Sequence, residues 1–192
     1  MSGDQNSKST RDRPYELLAE LERRGRSVPA PGQPQGETAS GESRPEWVGV
    51  ALRLAGDMVL VAREETREIL PVPGTTTRVP GAKQWIKGLA NVRGQLLTII
   101  DLRQFLDGGE TPMTRNTRVV VVNHREIPAG LIFDEVLGFR RFADEEFALE
   151  APPAQAHCEP YLAGCFRRGE EQWPVLSLRK VLESPAFADA SA

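Results

Sequence analysis

From Trp47 onward the chain alternates. Val48, Val50, Leu52 and Leu54 are separated by Gly49, Ala51 and Arg53. A period of two predicts a half-buried strand. Ala55-Gly56-Asp57 turns the chain and residues 58–62 return, which predicts a hairpin. Residues 63–67 are charged and read as a turn. Glu68-Ile69-Leu70-Pro71-Val72 then resumes an extended pattern, closed by Pro73-Gly74. After a loop at Val79-Pro80-Gly81, residues 82–86 read as a short helical turn that carries Trp85 and Ile86 onto the core. The polar turn Asn91-Val92-Arg93-Gly94 leads into a strand over 96–100, and Asp101 is placed to cap a helix over 102–106. A similar set of signals follows: strands over 119–122 and 127–133 around a turn at 123–126, then strands over 161–166 and 173–176. Pro174 suits an edge strand. Ser177 caps a terminal helix over 178–182.

Short strands at regular spacing, joined by polar turns, predict an all-β fold with minor helices. The two halves carry comparable signals, which predicts two small barrels packed side by side. The region before Trp47 differs. Residues 1–13 are polar and aperiodic, and residues 25–45 are thick with Gly, Pro, Ser and Gln, the composition of a linker. Between them Tyr15, Leu18 and Leu21 share one face of an amphipathic helix over 14–24, with Gly25 as its stop. So short a helix persists only when docked, either on its own domain or on a partner. The expected organisation is a flexible region over 1–45, a folded domain over 46–184 and a disordered tail over 185–192.

Composition narrows the function. The 192 residues carry a formal net charge of −3. This argues against a nucleic-acid partner, whose phosphates need clustered Lys and Arg. Two cysteines, Cys158 and Cys165, are too few for a disulfide-stapled scaffold. Residues 1–13 lack the apolar run of a signal peptide, and no segment approaches the ~20 apolar residues that cross a bilayer. A cytoplasmic protein without direct membrane insertion is expected.

Candidate chemistry is sparse. His157 and Cys158 are adjacent, so their side chains diverge in an extended chain, and no paired metal-ligand spacing occurs. No metal or cofactor is expected. Cys165 lies in an apolar strand and reads as an inert core thiol. Asp101 as a phosphoacceptor would need an acidic pocket for Mg²⁺ and a nearby lysine; a helix cap is the simpler role. No nucleophile elbow, P-loop or dinucleotide fingerprint is present, and no catalytic residue is assigned. Trp47, Trp85 and Trp173 are dispersed, which suits packing better than base stacking. A small-barrel nucleic-acid binder and a Cys–His hydrolase are the rivals from other classes.

The stretch Gly88-Leu89-Ala90-Asn91-Val92-Arg93-Gly94, leading into Ile99-Ile100-Asp101-Leu102-Arg103, resembles the signature of the CheW family of chemotaxis coupling proteins. Glu68-Ile69, Arg118–Val122 and the run from Gly130 to Val136 add to the likeness, which covers about 47–182. The helix Pro14-Tyr15-Glu16-Leu17-Leu18, the linker and the wording of 85–94 are similar to the PilI-type couplers of twitching-motility systems. The resemblance implies two five-stranded SH3-like barrels around a shared core. It implies a non-catalytic adaptor joining the cytoplasmic tip of a methyl-accepting chemoreceptor to the regulatory domain of a CheA-like histidine kinase, in receptor arrays at the membrane. The alternative within the family is a flagellar-type CheW adaptor.

The resemblance also implies that Glu68 and Arg93 lie close and support partner binding, with Ile69, Asn91, Val92 and Gly94 completing the surface. The competing role for the pair is a local salt bridge that holds the turn. Gly94 is expected at positive φ, and Asn91 is expected to bond back to the turn. Val92 is read as an apolar contact. Two departures stand out: Thr98 where Pro is common, and Thr66 where an apolar residue of the binding surface is common.

Overall fold

The computed structural model describes residues 46–152 and 156–190. The expected helix over 14–24 and its linker lie outside the described residues. Among the described residues there are eleven strands: β1 (Glu46–Leu54), β2 (Asp57–Ala62), β3 (Thr66–Pro71), β4 (Ile86–Val92), β5 (Gln95–Asp101), β6 (Arg118–Val122), β7 (Ala129–Phe133), β8 (Glu135–Ala143), β9 (Phe147–Ala148), β10 (Leu162–Arg168) and β11 (Glu171–Leu176). The described residues also hold three short α-helices: α1 (Leu102–Phe105), α2 (Leu178–Leu182) and α3 (Pro185–Ala188). The residues expected as a helical turn before the first signature strand make one hydrogen-bonded turn, with the Ile86 N–H donating to the Lys83 carbonyl at 3.0 Å, and Ile86 already begins β4.

The strands form two mixed sheets. One has six strands in the order β8-β1-β2-β11-β10-β9, the other five in the order β3-β6-β7-β5-β4. The mostly-β class with minor helices is as expected. The two halves of the sequence, however, are not the two sheets. The chain makes β1 and β2, crosses over to build the whole five-stranded sheet, and returns with β8 along the free edge of β1. β11 then closes beside β2 in parallel, at Val175 opposite Leu60.

Apolar side chains sort into three clusters, and the sorting explains the sequence pattern. In β1 and β2, Val50, Leu52, Leu54, Val59 and Val61 face a core shared with Val120, Val122, Leu131 and Phe133 of the other sheet. Their neighbours Trp47, Ala51 and Leu60 face inward, where they meet Phe142, Phe166 and Trp173. In the second sheet Val119, Val121, Leu97, Ile99 and Ile132 form its own interior. A strand that walls one cluster and floors another is apolar on both faces, as the run Val119–Val122 is.

Each sheet curls until its ends meet. In the six-stranded sheet the ends β8 and β9 are consecutive in the chain, joined by a 3-10 turn over Asp144–Glu146. Arg168 clamps this seam. Its Nε lies 2.6 Å from Glu146 Oε1, and its Nη2 donates to Glu146 Oε2 at 2.8 Å and to the Arg141 carbonyl at 2.8 Å. Its guanidinium sits 4.5 Å from the Phe142 ring centroid. These hydrogen bonds hold the Glu146 carboxyl down at about 2, against an ordinary value of 4.5.

A depressed carboxyl stabilises the fold above its unfolded value, and that contribution is lost as pH falls through the folded one. Glu146→Gln should therefore flatten the decline in stability between pH 4.5 and 2, read from urea midpoints across that range. An unchanged decline would mean that the clamp contributes nothing.

The crossover from β2 to β3 is anchored by Glu65. It accepts from Ser177 Oγ at 2.8 Å and from the Leu178 N–H at 2.6 Å, at the start of α2. Its backbone carbonyl accepts from the Asn123 N–H at 2.8 Å. Burial pushes this carboxyl above its ordinary value, against the hydrogen bonds that lower it. Its sign is opposite to that of Glu146: the protonated form suits the fold, a contribution present below 4.5 and lost as pH rises through the folded value.

The tail expected as disordered over 185–192 is structured in its described part. Ser184 Oγ caps α3 by accepting from the Phe187 N–H at 3.2 Å. Phe187 lies against Trp85 and Phe105, at centroid distances of 5.4 and 5.9 Å. An aromatic ring three residues after a Ser-Pro start holds what a polar tail alone would not.

Candidate functional site

β4 and β5 form a hairpin whose two turn residues, Arg93 and Gly94, both have positive φ, 50° and 82°. This is the twist of the tight hairpin turn that matches twisted strands. Gly94 adopts it without strain. Arg93 does so as one of few non-glycine residues in that region, a placement the sequence did not reveal. Asn91 Oδ1 accepts from the Gly94 N–H at 2.9 Å and braces the turn.

The hairpin tip meets β3 across the seam of the five-stranded sheet, whose end strands are β3 and β4. Arg93 Nη1 lies 2.8 Å from Glu68 Oε2. Beside this pair, Arg67 Nη1 donates to Gln95 Oε1 at 2.6 Å. Arg67, Glu68, Val92, Arg93, Gly94 and Gln95 together line an open groove of about 430 Å³. Glu68 is about a quarter exposed and Arg93 about three-quarters, so the cation stands out of the groove and the anion forms its floor.

A β-bulge sets this arrangement. Between Thr66 and Glu68 β3 advances two residues while β6 advances one, from Val122 to Val121. The extra residue reverses the alternation, so Thr66 points with Val122 into the shared core while Glu68 falls on the other side. Thr66 is accordingly buried, with Oγ1 donating to the Ala62 carbonyl at 3.4 Å. Its expected place on the binding surface is corrected: it is a core position. Ile69 also turns away from the groove, packing on the shared core. Val92 lines the groove and rests on the interior of its own sheet. Asn91, Val92, Arg93, Gly94 and Glu68 are thus together, and Ile69 is not. Arg67 and Gln95 were missed, because the bulge that brings β3 to the hairpin has no sequence signal.

The base of the hairpin is held by Asp101, which is fully buried. One carboxylate oxygen accepts from the Gln104 N–H at 3.2 Å and from Thr111 Oγ1 at 2.6 Å. The other accepts from the Thr111 N–H at 2.9 Å and lies 3.5 Å from Lys87 Nζ. Every contact is structural, as a helix cap requires.

A family model for the CheW-like domain matches residues 49–186, nearly all of the described fold. The chain belongs to the CheW-like family. Its sequence is 36% identical over 178 residues to the protein PilI of Pseudomonas aeruginosa, covering 93% of this chain and 96% of that one. It is 36% identical over 101 residues to the protein FrzA of Myxococcus xanthus, covering 52% and 62%. The fold is similar to the crystal structure of the scaffolding protein TtCheW from Thermoanaerobacter tengcongensis, with a TM-score of 0.64 at 18% identity, covering 79% and 96%.

Within this CheW-like domain Cys158, Cys165 and His124 are committed to structure. Cys158 and Cys165 are buried free thiols, and burial raises both, Cys158 to about 11. A thiol so raised is a poor nucleophile near neutrality. His124 Nδ1 accepts from the Glu126 and Ile127 N–H groups at 3.2 and 3.1 Å, which closes the turn before β7. Among the described residues no cluster of His, Cys, Asp and Glu could hold a metal ion, and no helix is long and apolar enough to cross a membrane.

Proposed function

We propose that this CheW-like protein is a non-catalytic adaptor that couples the cytoplasmic tip of a chemoreceptor to the regulatory domain of a CheA-like histidine kinase, in a chemosensory pathway that controls type IV pilus twitching motility. The observation that carries this reading is the likeness to PilI, which covers nearly all of both chains. At 178 residues it is longer than the described fold, so it extends into the residues before Glu46. By comparison, the likeness to the chemotaxis protein CheW of Bacillus subtilis covers 31% of this chain, which favours the pilus system over a flagellar one.

The docking feature in this reading is the groove beside the hairpin tip. Glu68 and Arg93 are held in register by a bulge and a tight turn, so little ordering remains to be done on binding. A cation held out over an anionic floor gives a partner one charge of each sign to match, which sets orientation more than raw affinity. The adaptor acts by differential affinity for receptor states, at arrays on the cytoplasmic side of the membrane.

Co-purification with a kinase regulatory domain and a receptor tip tests this. The wild-type chain is expected to retain both. Arg93→Ala is expected to bind at least one of them about tenfold more weakly, or about 1.4 kcal/mol. Its urea midpoint should stay within about 1 kcal/mol of wild type, because an ion pair this exposed adds little to folding. Failure of the wild type to bind either partner overturns the coupling role. Normal binding of both by folded Arg93→Ala removes the role given to the groove.

A further inference from the structure

Away from the hairpin tip, the last described residues cross the molecule as a strap. After α2, Ser184 caps the single turn of α3, and Phe187 drops onto Trp85 and Phe105. Phe105 in turn lies 5.8 Å from Tyr161. Beyond the ring, Asp189 Oδ2 pairs with Lys83 Nζ at 2.7 Å, and the Ala190 carbonyl accepts from the Lys83 N–H at 3.0 Å. The strap therefore holds its seat through the Phe187 ring, the small Ala190 side chain, one acid and one backbone carbonyl.

The two sides of this contact are unequal. The seat is rigid: Trp85 is buried and leads straight into β4, and Phe105 closes α1 on the shared core. The strap is slight. Its helix is four residues long, too short to persist without its contacts. Phe187 is only half-buried, and Asp189 is largely exposed. The family match ends at residue 186, so the ring and the acid that fasten the strap both lie past it. Beside the strap a groove of about 640 Å³ opens from Lys83 along Arg78, Val79, Ile86 and Lys87. Three cations line it against one carboxylate, Glu110.

We propose that residues 184–190 are an exchangeable occupant of this aromatic seat. A partner protein's segment with an aromatic residue, followed two positions later by an acid, takes the same place. The strap itself states the chemistry: the ring packs against the touching pair Trp85 and Phe105, and the acid meets Lys83. A partner segment with further acids continues along the groove toward Arg78, where charge complementarity favours it over the strap, while Lys87 stays paired with Glu110 and Asp101. The proposal stands apart from the coupling role and from the Arg93 groove.

The test uses a fluorescein-labelled peptide of residues 184–190 as probe. It is titrated against the full chain, the full chain with Asp189→Lys, and the chain ended after Ser184. The truncated chain is expected to unfold cooperatively and to bind the peptide at least tenfold more tightly than the full chain does, with Asp189→Lys in between. Replacing the phenylalanine of the peptide by alanine, or Lys83→Glu in the protein, is expected to abolish binding. A peptide extended by two aspartates is expected to bind more tightly, and more so at low salt. Equal affinity for the full and truncated chains overturns the proposal, as does binding that ignores the phenylalanine. Loss of cooperative unfolding on truncation also overturns it, because the strap is then part of the core.

Discussion

Asp101→Ala is expected to destabilise the fold by about 3–5 kcal/mol, the range for removing one partner from a buried charged network. The carboxylate serves four donors at once: the Gln104 N–H, the Thr111 N–H, the Thr111 hydroxyl and Lys87. Losing the cap of α1 costs about 1 kcal/mol. Stranding the two buried Thr111 donors costs about 1–3 kcal/mol each. Lys87 is the least affected, because it keeps Gln104 and Glu110, each at 2.8 Å. Urea denaturation of purified protein measures the loss. Asp101→Asn, which keeps an acceptor, should fall between the two. A change under 1 kcal/mol would show that the surrounding segment reorganises freely, contrary to the role given to Asp101 as the base of the signature hairpin.

Phe166→Ala is expected to cost about 3–5 kcal/mol as well, by a different route. The ring is 1% exposed and central to the interior of the six-stranded sheet. It stacks on Phe142 at 4.7 Å with an interplanar angle of 18°, and meets Trp47 at 4.7 Å and Phe147 at 5.1 Å. Three large rings cannot collapse into the space of a fourth without leaving their rotamers. The melting temperature should fall on the order of 10 °C for a domain of this size. Phe166→Leu should cost less than half as much. Equal losses for alanine and leucine would point to the aromatic stacking itself, rather than to volume.

Much of the fold is legible from the alternation of apolar positions. β1, β2, β6 and β7 carry strong apolar runs because both of their faces are buried, and β5 does so in its second half. β8 was not legible. Its Gly138, Arg140 and Arg141 interrupt any apolar period, and as an edge strand it is half-exposed along most of its length. Its place is set by β1, which offers a nine-residue edge, and by Arg168 reaching the Arg141 carbonyl. Which strands share a sheet was not legible, because a parallel contact such as β2 with β11 joins residues that no local pattern connects. At the candidate site, the turn and its glycine could be read from Asn91 to Gly94. The bulge at Arg67 could not, and with it went the true positions of Thr66, Ile69 and Gln95. Glu65 was also passed over, because a glutamate in a charged run looks solvated until Ser177, 112 residues later, is placed beside it.

The excursion of the chain between β2 and β8 has a consequence for synthesis on the ribosome. All five strands of the five-stranded sheet have been made once Phe133 is added. The six-stranded sheet is incomplete until Leu176, because β11 must slot beside β2, which was made long before it. During that interval the five-stranded sheet can cover the shared-core face of the β1–β2 hairpin, while the other apolar face, with Trp47, Ala51 and Leu60, waits for Phe142, Phe166 and Trp173. The nested order makes one module the folding template of the other, and a break at the midpoint of the chain would yield no independent half.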